Sequence, residues 1–171
     1  MIKVLFICHG NICRSPMAEL VMKDLVGKAG LSGRFHIGSA AVSREEIGSP
    51  VYPPARRELA KHGISCGGHS ARQLTPQDYG EYDLLIGMDS GNLRAMHRIC
   101  GGDPEGKMSL LMDHTAHTPA AWRTRGIRMT LKQRGGTFWR GAGGFLRNCP
   151  AARFPPHLFP CPDFYDPKSR V

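Results

Sequence analysis

The sequence predicts an α/β fold in which helices cover both faces of a four-stranded parallel sheet. Short apolar runs typical of buried strands recur between residues 4 and 112, and the first three are each followed by a pattern typical of a helix. Because helices separate these strands, consecutive strands are expected to be parallel, with right-handed connections. The alternation therefore predicts a three-layer αβα arrangement.

The individual elements follow from local patterns. Strands are predicted at residues 4–7, 35–40, 82–88 and 107–112. Helices are predicted at residues 17–28, at residues 53–62, and from a cap at Asp89 or Ser90 to about Cys100. Gly30 and Gly63 lie just beyond the first two helices, where glycine commonly ends a helix.

The connection between the first strand and the first helix reads Cys-His-Gly-Asn-Ile-Cys-Arg-Ser, from Cys8 to Ser15. Ser15 suits the N-cap of the helix and Pro16 its first turn. A loop in front of a helix N-terminus directs backbone N–H groups inward and adds the positive end of the helix dipole. The stretch therefore predicts an anion site, to which Arg14 would add a planar fork that matches two phosphate oxygens.

A cysteine in such a loop has a chemical use. Helix N-termini and nearby cations favour the thiolate, which is the nucleophilic form. Cys8 is therefore placed to attack a phosphorus atom held by the loop, and Ser15 could donate a hydrogen bond to its sulfur. The predicted catalytic residues are Cys8 and Arg14, and the predicted phosphate-binding residues are His9, Gly10, Asn11, Ile12, Cys13, Arg14 and Ser15.

The run from residue 8 to residue 19 resembles the phosphate-binding loop of low-molecular-weight protein tyrosine phosphatases. The resemblance implies that Cys8 forms a cysteinyl-phosphate, that Arg14 stabilises the transition state, and that Asn11 braces the loop. It also implies that Cys13 can form a protective disulfide with Cys8. Isoleucine at position 12 is similar to the tyrosine phosphatases of the family, whereas threonine is similar to its arginine phosphatases.

The resemblance covers residues 2–114 and implies the Rossmann-like phosphotyrosine phosphatase I fold. Residues 43–47 would form the variable loop that lines the substrate cleft. The implied activity is hydrolysis of phosphotyrosine in proteins, or of small aryl phosphates, by a phosphoric monoester hydrolase. No metal or organic cofactor is implied, and a reducing cytoplasm is expected because the thiol must stay free.

The net charge of +9 is unevenly distributed along the 171 residues. Residues 1–114 carry 13 Lys and Arg against 12 Asp and Glu, whereas residues 115–171 carry 10 against 2. A basic chain suggests a nucleic-acid partner, but the confinement of the charge to the tail argues against one. No run of 18 apolar residues and no secretory leader is present in the sequence, so neither a membrane span nor export is expected.

Residues 115–171 depart from the family pattern. The family places a general acid in an Asp-Pro-Trp/Tyr loop after the last strand, followed by an amphipathic helix, and neither is found here. The sequence therefore predicts an incomplete phosphatase domain at 1–114 and a basic, disordered tail rich in Pro, Gly and Arg at 115–171 that lacks the usual C-terminal helix. Asp163 and Asp166 are the remaining candidates for the acid.

A shift of reading frame explains this departure. Residues 119–129 can be back-translated into codons and then read in a shifted frame, in which the third base of each codon is joined to the first two bases of the next codon. In that frame they permit the sequence Gly-x-Val-Ala-Asp-Pro-Trp-Tyr-Thr-Asp. Residues that follow permit an acidic, amphipathic continuation. We therefore hypothesise a one-base frameshift between Thr115 and Thr118. Loss of the acid would impair the activity, and loss of the helix would leave the domain marginally stable.

Two other functions fit the same residues. An arsenate reductase shares this loop and fold but needs a further redox pair of cysteines, and Cys66 and Cys100 form no obvious pair in the sequence. A non-catalytic anion-binding protein with a basic tail is the second alternative. His62, His69 and His97 are predicted to be surface or cap residues.

Overall fold

The central sheet has four parallel strands, as the sequence predicts. The computed structural model describes residues 1–114. Its strands are β1 (Ile2–Cys8), β2 (Phe35–Ala41), β3 (Leu84–Gly87) and β4 (Met108–Leu110). They lie in the order β2-β1-β3-β4, and every pair of neighbours is parallel.

Four α-helices connect and cover these strands. They are α1 (Arg14–Lys28), α2 (Pro53–Lys61), α3 (Pro76–Glu81) and α4 (Ser90–Cys100), with 3-10 turns at Ser32–Arg34 and Leu111–His114. None of the helices in this part of the chain is long and apolar enough to cross a bilayer. The predictions about the tail, its disorder, its missing helix and Asp163 and Asp166 fall outside the described residues.

Successive side chains of β1 point to opposite faces of the sheet and so contribute to two separate hydrophobic cores. Val4 and Phe6 point to one face, where they pack with α1 and α2. Leu5 and Ile7 point to the other face, where they pack with α4. All four of these side chains are fully buried, as expected for a central strand of a parallel sheet covered on both faces.

Two local predictions are wrong at the level of single residues. α1 begins at Arg14 with Cys13 as its N-cap, so Ser15 does not cap the helix but is buried in its first turn. The last strand ends at Leu110, because the carboxylate of Asp113 accepts the Leu110 N–H and the chain continues as a 3-10 turn.

α3 was not predicted from the sequence. This six-residue helix has too few turns to show an apolar periodicity, and it contains a glycine. A capping box between Thr75 and Asp78 starts it, in which each side chain satisfies a backbone N–H of the other residue. α4 is capped as predicted, since Asp89 Oδ1 accepts the Asn92 N–H at 2.7 Å.

The sheet order determines where a ligand can bind. β1 lies between β2 and β3, so the segments that follow these two strands flank the carboxyl end of β1 on either side. Ligands of open α/β sheets bind at this edge, where neighbouring strands diverge to their loops. Cys8, the last residue of β1, lies at that point.

Truncation of a core residue on β1 should test this architecture. Phe6→Ala removes a fully buried ring from the α1 face, and it should lower the free energy of unfolding by about 3–5 kcal/mol in urea denaturation. Ile47→Ala, at a side chain that is 56% exposed, should change it by no more than about 0.5 kcal/mol. Equal losses in the two variants would contradict the packing described here.

Candidate active site

The loop from His9 to Cys13 turns its carbonyl groups away from its centre. Cys8 O accepts the Val42 N–H at 2.9 Å, His9 O accepts the Ser43 N–H at 3.0 Å, and Ile12 O accepts the Tyr52 N–H at 2.7 Å. Among residues 1–114, the N–H groups of residues 10–12 donate no hydrogen bond. Successive unpaired amides beside a helix N-terminus are an arrangement suited to an anion. Phosphate binding by this loop stays a prediction.

Asn11 holds this loop in shape. Its backbone adopts a left-handed conformation with φ of 55°, and its side chain is completely buried. The amide Nδ2 donates to Ser15 Oγ at 2.9 Å and to Ser39 Oγ at 2.8 Å, while Oδ1 accepts the Arg72 N–H at 3.1 Å. The bracing role that the resemblance assigns to Asn11 is thus supported by its contacts with β2 and with the chain before α3.

Cys8 lies in the interior of the site. It is 3% exposed, and its Sγ lies 3.0 Å from Ser15 Oγ. Because the Ser15 hydroxyl also receives a hydrogen bond from Asn11, its own proton is directed toward the sulfur or toward Ala40 O, which is 3.4 Å away. The Ser15 hydroxyl is thus placed to hydrogen-bond the sulfur of Cys8.

Arg14 lies at the rim of the loop and is held by one carboxylate. Its Nη1 donates to Asp89 Oδ2 at 2.5 Å, while Asp89 Oδ1 caps α4. Burial alone would raise the pKa of the Asp89 carboxyl, but hydrogen bonds from Arg14 and from the N–H groups of Asn92 and Gly91 outweigh it, so the pKa lies below its usual range. Asp89 is therefore ionised at neutral pH.

A cleft of about 510 Å³ opens above this rim. One wall comes from the phosphate loop and the segment after β2, and the other from Asp89 and α4. The residues that line it are His9, Arg14, Val42, Ser43, Asp89, Gly91, Asn92, Ala95 and Arg98. Within residues 1–114, no three His, Cys, Asp or Glu side chains converge in a way that could hold a metal ion.

The segment after β2 packs closely on the phosphate loop. His9 Nε2 lies 3.0 Å from Glu45 Oε2, and both side chains are exposed. A Cβ at Gly10 would come within 3.1 Å of Glu46 Cγ, so a glycine allows this close approach. Residues 43–47 therefore adjoin the cleft, as the resemblance implies.

Four supporting residues were not identified as such from the sequence. His69 was predicted to be a surface or cap residue, but it is partly buried and its Nε2 donates to Asn11 O at 2.8 Å. Arg72 forms a two-point ion pair with Asp78, with distances of 2.9 and 3.0 Å, and so fixes the segment whose N–H binds Asn11. Ser39 donates to Glu19 Oε2 at 2.5 Å, which orients the hydroxyl that Asn11 contacts.

Comparison with known proteins identifies the family. The sequence pattern described as "Low molecular weight phosphotyrosine protein phosphatase" matches residues 3–123. The chain belongs to the low molecular weight phosphotyrosine protein phosphatase family. The match stops at residue 123, close to the place where the sequence departs from the family pattern.

Similar proteins come from bacteria and animals. Low molecular weight protein-tyrosine-phosphatase YfkJ of Bacillus subtilis is 38% identical over 121 residues, which cover 71% of this chain and 78% of that protein. Low molecular weight phosphotyrosine protein phosphatase of Rattus norvegicus is 44% identical over 95 residues, 56% of this chain and 60% of that protein. These names favour neither the arsenate reductase nor the non-catalytic alternative.

The solved structure of YfkJ confirms the fold. It superimposes with a TM-score of 0.79 and 33% identity, over 85% of this chain and 92% of that one. The predicted α/β class and four-stranded parallel sheet are thus confirmed, and the enzyme class implied by the family is that of phosphoric monoester hydrolases.

Removal of the Ser15 hydroxyl should weaken the nucleophile. Ser15→Ala deletes the group that lies 3.0 Å from Cys8 Sγ, and a hydrogen bond to a charged group contributes about 1.5–3 kcal/mol. Alkylation of Cys8 by iodoacetamide at pH 6 should slow by about 10–100-fold. Ser32→Ala, in an exposed turn, is the control. An unchanged alkylation rate in Ser15→Ala would show that the contact does not stabilise the thiolate.

The Arg72–Asp78 pair should make stability depend on pH. Burial favours a raised pKa for Asp78, but hydrogen bonds from Arg72 and Thr75 and the charge of Arg72 lower it. Such a group stabilises the fold above its unfolded pKa of about 3.9, and this contribution disappears as the pH falls through the lower, folded value. Asp78→Asn should therefore reduce the free energy of unfolding by about 1–3 kcal/mol at pH 7.

In urea denaturation the difference between Asp78→Asn and the unmodified protein should shrink steadily below pH 4. Asp24→Asn, which breaks a helical pair with Lys28, should cost only about 0.3–0.5 kcal/mol. A loss in Asp78→Asn that is the same at pH 3 and pH 7 would contradict the charge-based explanation.

Proposed function

We propose that this chain hydrolyses phosphotyrosine, and small aryl phosphates, through a cysteinyl-phosphate on Cys8. The observation that carries the proposal is the buried Cys8 sulfur, 3.0 Å from Ser15 Oγ, at the end of β1 and inside a loop whose carbonyls are bound outside it. The unpaired amides of residues 10–12 would bind the equatorial phosphate oxygens. Arg14 would bind two of them through the guanidinium nitrogens that Asp89 leaves available.

The proposed reaction has two steps. The Cys8 thiolate attacks phosphorus, the S–P bond forms, and the O–P bond to the phenol breaks with its electron pair on oxygen. Water then attacks the cysteinyl-phosphate, which releases inorganic phosphate and restores the thiolate. Both transition states carry charge on the phosphoryl oxygens, which fixed amides and Arg14 stabilise.

The cleft formed by residues 1–114 does not supply a proton donor for the leaving phenolate. Asp89 is the one carboxyl that lines the cleft among residues 1–114, and its lowered pKa leaves it without a proton at neutral pH. It is also engaged by Arg14 and by the N-terminus of α4. Asp89 therefore positions Arg14 and does not replace the general acid that the family carries in its Asp-Pro-Trp/Tyr loop.

Activity should depend strongly on the leaving group. Para-nitrophenyl phosphate, whose phenolate leaves without a proton, should be turned over, whereas phosphotyrosine peptides should be slower by about 10²–10⁴-fold in kcat/KM because acid catalysis is missing. Cys8→Ser should abolish both activities. Similar kcat/KM values for the two substrates would show that a donor is present after all.

The frameshift hypothesis is tested by the sequence of the gene and by the activity of the protein encoded in the restored frame. Sequencing of the gene across codons 110–150 should reveal one base more or fewer than the frame that encodes Asp-Pro-Trp-Tyr. Expression of that frame should raise kcat/KM for phosphotyrosine peptides by about 10²–10⁴-fold and leave kcat/KM for para-nitrophenyl phosphate nearly unchanged. Codons that cannot encode this motif would disprove the frameshift and leave the phosphate loop unaffected.

The substrate and the compartment are part of the proposal. Ile12 favours phosphotyrosine over phosphoarginine by its similarity to the tyrosine phosphatases, and phosphoarginine is the control substrate that should not react. We infer a cytoplasmic location, because a thiol nucleophile needs a reducing environment and Cys8 is a free thiol. No nucleic-acid partner is proposed.

A further inference from the structure

The two walls of the cleft differ in how their charges are balanced. On the β2 side, His9 lies against Glu45, and Arg44 Nε donates to the Gln73 side chain at 2.9 Å. At the base of the cleft, Arg14 is paired with Asp89. The basic side chains on this side and at the base are therefore already bound to partners within the protein.

The α4 wall has a different character. Gly91, Ala95 and Arg98 line the cleft at a spacing of four and three residues, so they share one face of the helix. Gly91 and Ala95 are small and leave a shallow surface next to Arg98. Room therefore exists on this wall for part of a ligand that extends out of the phosphate loop.

Arg94 reaches the same surface. Its Nη2 lies 3.9 Å from the position that a Cβ on Gly91 would occupy, so its guanidinium folds over the end of α4 that lines the cleft. Arg94 and Arg98 are four residues apart and both are exposed. Within the described part of the chain, neither makes an ion pair or a side-chain hydrogen bond.

Two unpaired guanidinium groups at the edge of a phosphate cleft are suited to one kind of ligand group. Arginine binds carboxylates through a planar pair of N–H donors and is less strongly hydrated than lysine. An acidic side chain next to the phosphotyrosine would lie within the field of both groups once the phosphate is seated. On the β2 side of the cleft, Glu45 and Glu46 lie beside the phosphate loop, and the described residues offer no two unpaired guanidinium groups there.

We propose that Arg94 and Arg98 form a subsite that selects phosphotyrosine peptides with an acidic residue beside the phosphotyrosine. The proposal rests on the proposed function, since it concerns the substrate of the same cleft. Arg98 contacts the acidic residue from the cleft wall and Arg94 from the end of α4. Small aryl phosphates, which do not extend beyond the loop, do not use the subsite.

Binding tests this proposal without depending on turnover. Two peptides would carry the non-hydrolysable analogue difluorophosphonomethyl-phenylalanine, flanked on both sides by Asp in one and by Asn in the other. Their Kd values for the full chain, and that of inorganic phosphate, would be measured by calorimetry. We expect the Asp peptide to bind about 4–20-fold more tightly, since each exposed ion pair contributes about 2–5-fold.

The double variant Arg94→Gln/Arg98→Gln should remove this preference and leave the Kd of inorganic phosphate within about twofold. The matched control is Arg56→Gln/Arg57→Gln, which removes the same charge from exposed positions on α2, across the sheet from α4. The control should keep the full preference. The preference should also fall as salt increases, because exposed charges are screened.

The outcomes separate the two proposals. Equal binding of the two peptides, or a preference that survives in Arg94→Gln/Arg98→Gln or disappears in the control, overturns the subsite while the phosphate site stands. Failure of both peptides and of inorganic phosphate to bind the unmodified chain overturns the proposed function, and the subsite with it.

Discussion

The buried side chain of Asn11 is the contact on which the site depends. A loop that turns its amides inward must find partners for its carbonyls and must keep a residue in the left-handed region, where asparagine is tolerated better than most residues. Asn11 meets both needs. Its side-chain amide connects the loop to β2 and α1, and its backbone carbonyl accepts a hydrogen bond from His69. Because a buried polar group without partners is costly, these contacts hold the loop in one conformation.

From Asn11 a chain of hydrogen bonds extends in two directions. Toward the centre it passes through Ser15 to the Cys8 sulfur. Away from the centre it passes through Ser39 to Glu19, which is paired with Lys23 on the surface of α1. Cys8 is thus connected to β2 and α1 through these hydrogen bonds, so the position of its sulfur depends on how these two elements pack.

Two carboxylates among the described residues, Asp78 and Asp89, have structural tasks. Asp78 starts α3 and anchors Arg72, and Asp89 starts α4 and anchors Arg14. Both are kept ionised by their donors, which suits groups that orient arginines and excludes them as proton donors at neutral pH. Neither carboxylate therefore supplies the catalytic proton in the proposed reaction, and the frameshift hypothesis assigns that proton to a segment that back-translation permits in another reading frame.

The sequence by itself determined the elements whose signals are local. The apolar run of β1, the glycine and asparagine of the loop, and the Cys8-to-Ser15 spacing all act within a few residues. The fold class and the placement of Cys8 and Arg14 at the two ends of one strand-to-helix loop were therefore predictable. Tertiary structure alone decided which distant groups brace the loop. His69 and Arg72 reach Asn11 across 58 and 61 residues, and a contact over that distance leaves no periodicity in the sequence. Tertiary structure also decided that Ser15 faces the sulfur from inside α1. Burial of the Ser15 hydroxyl with Asn11 outweighs the preference of serine for a helix cap.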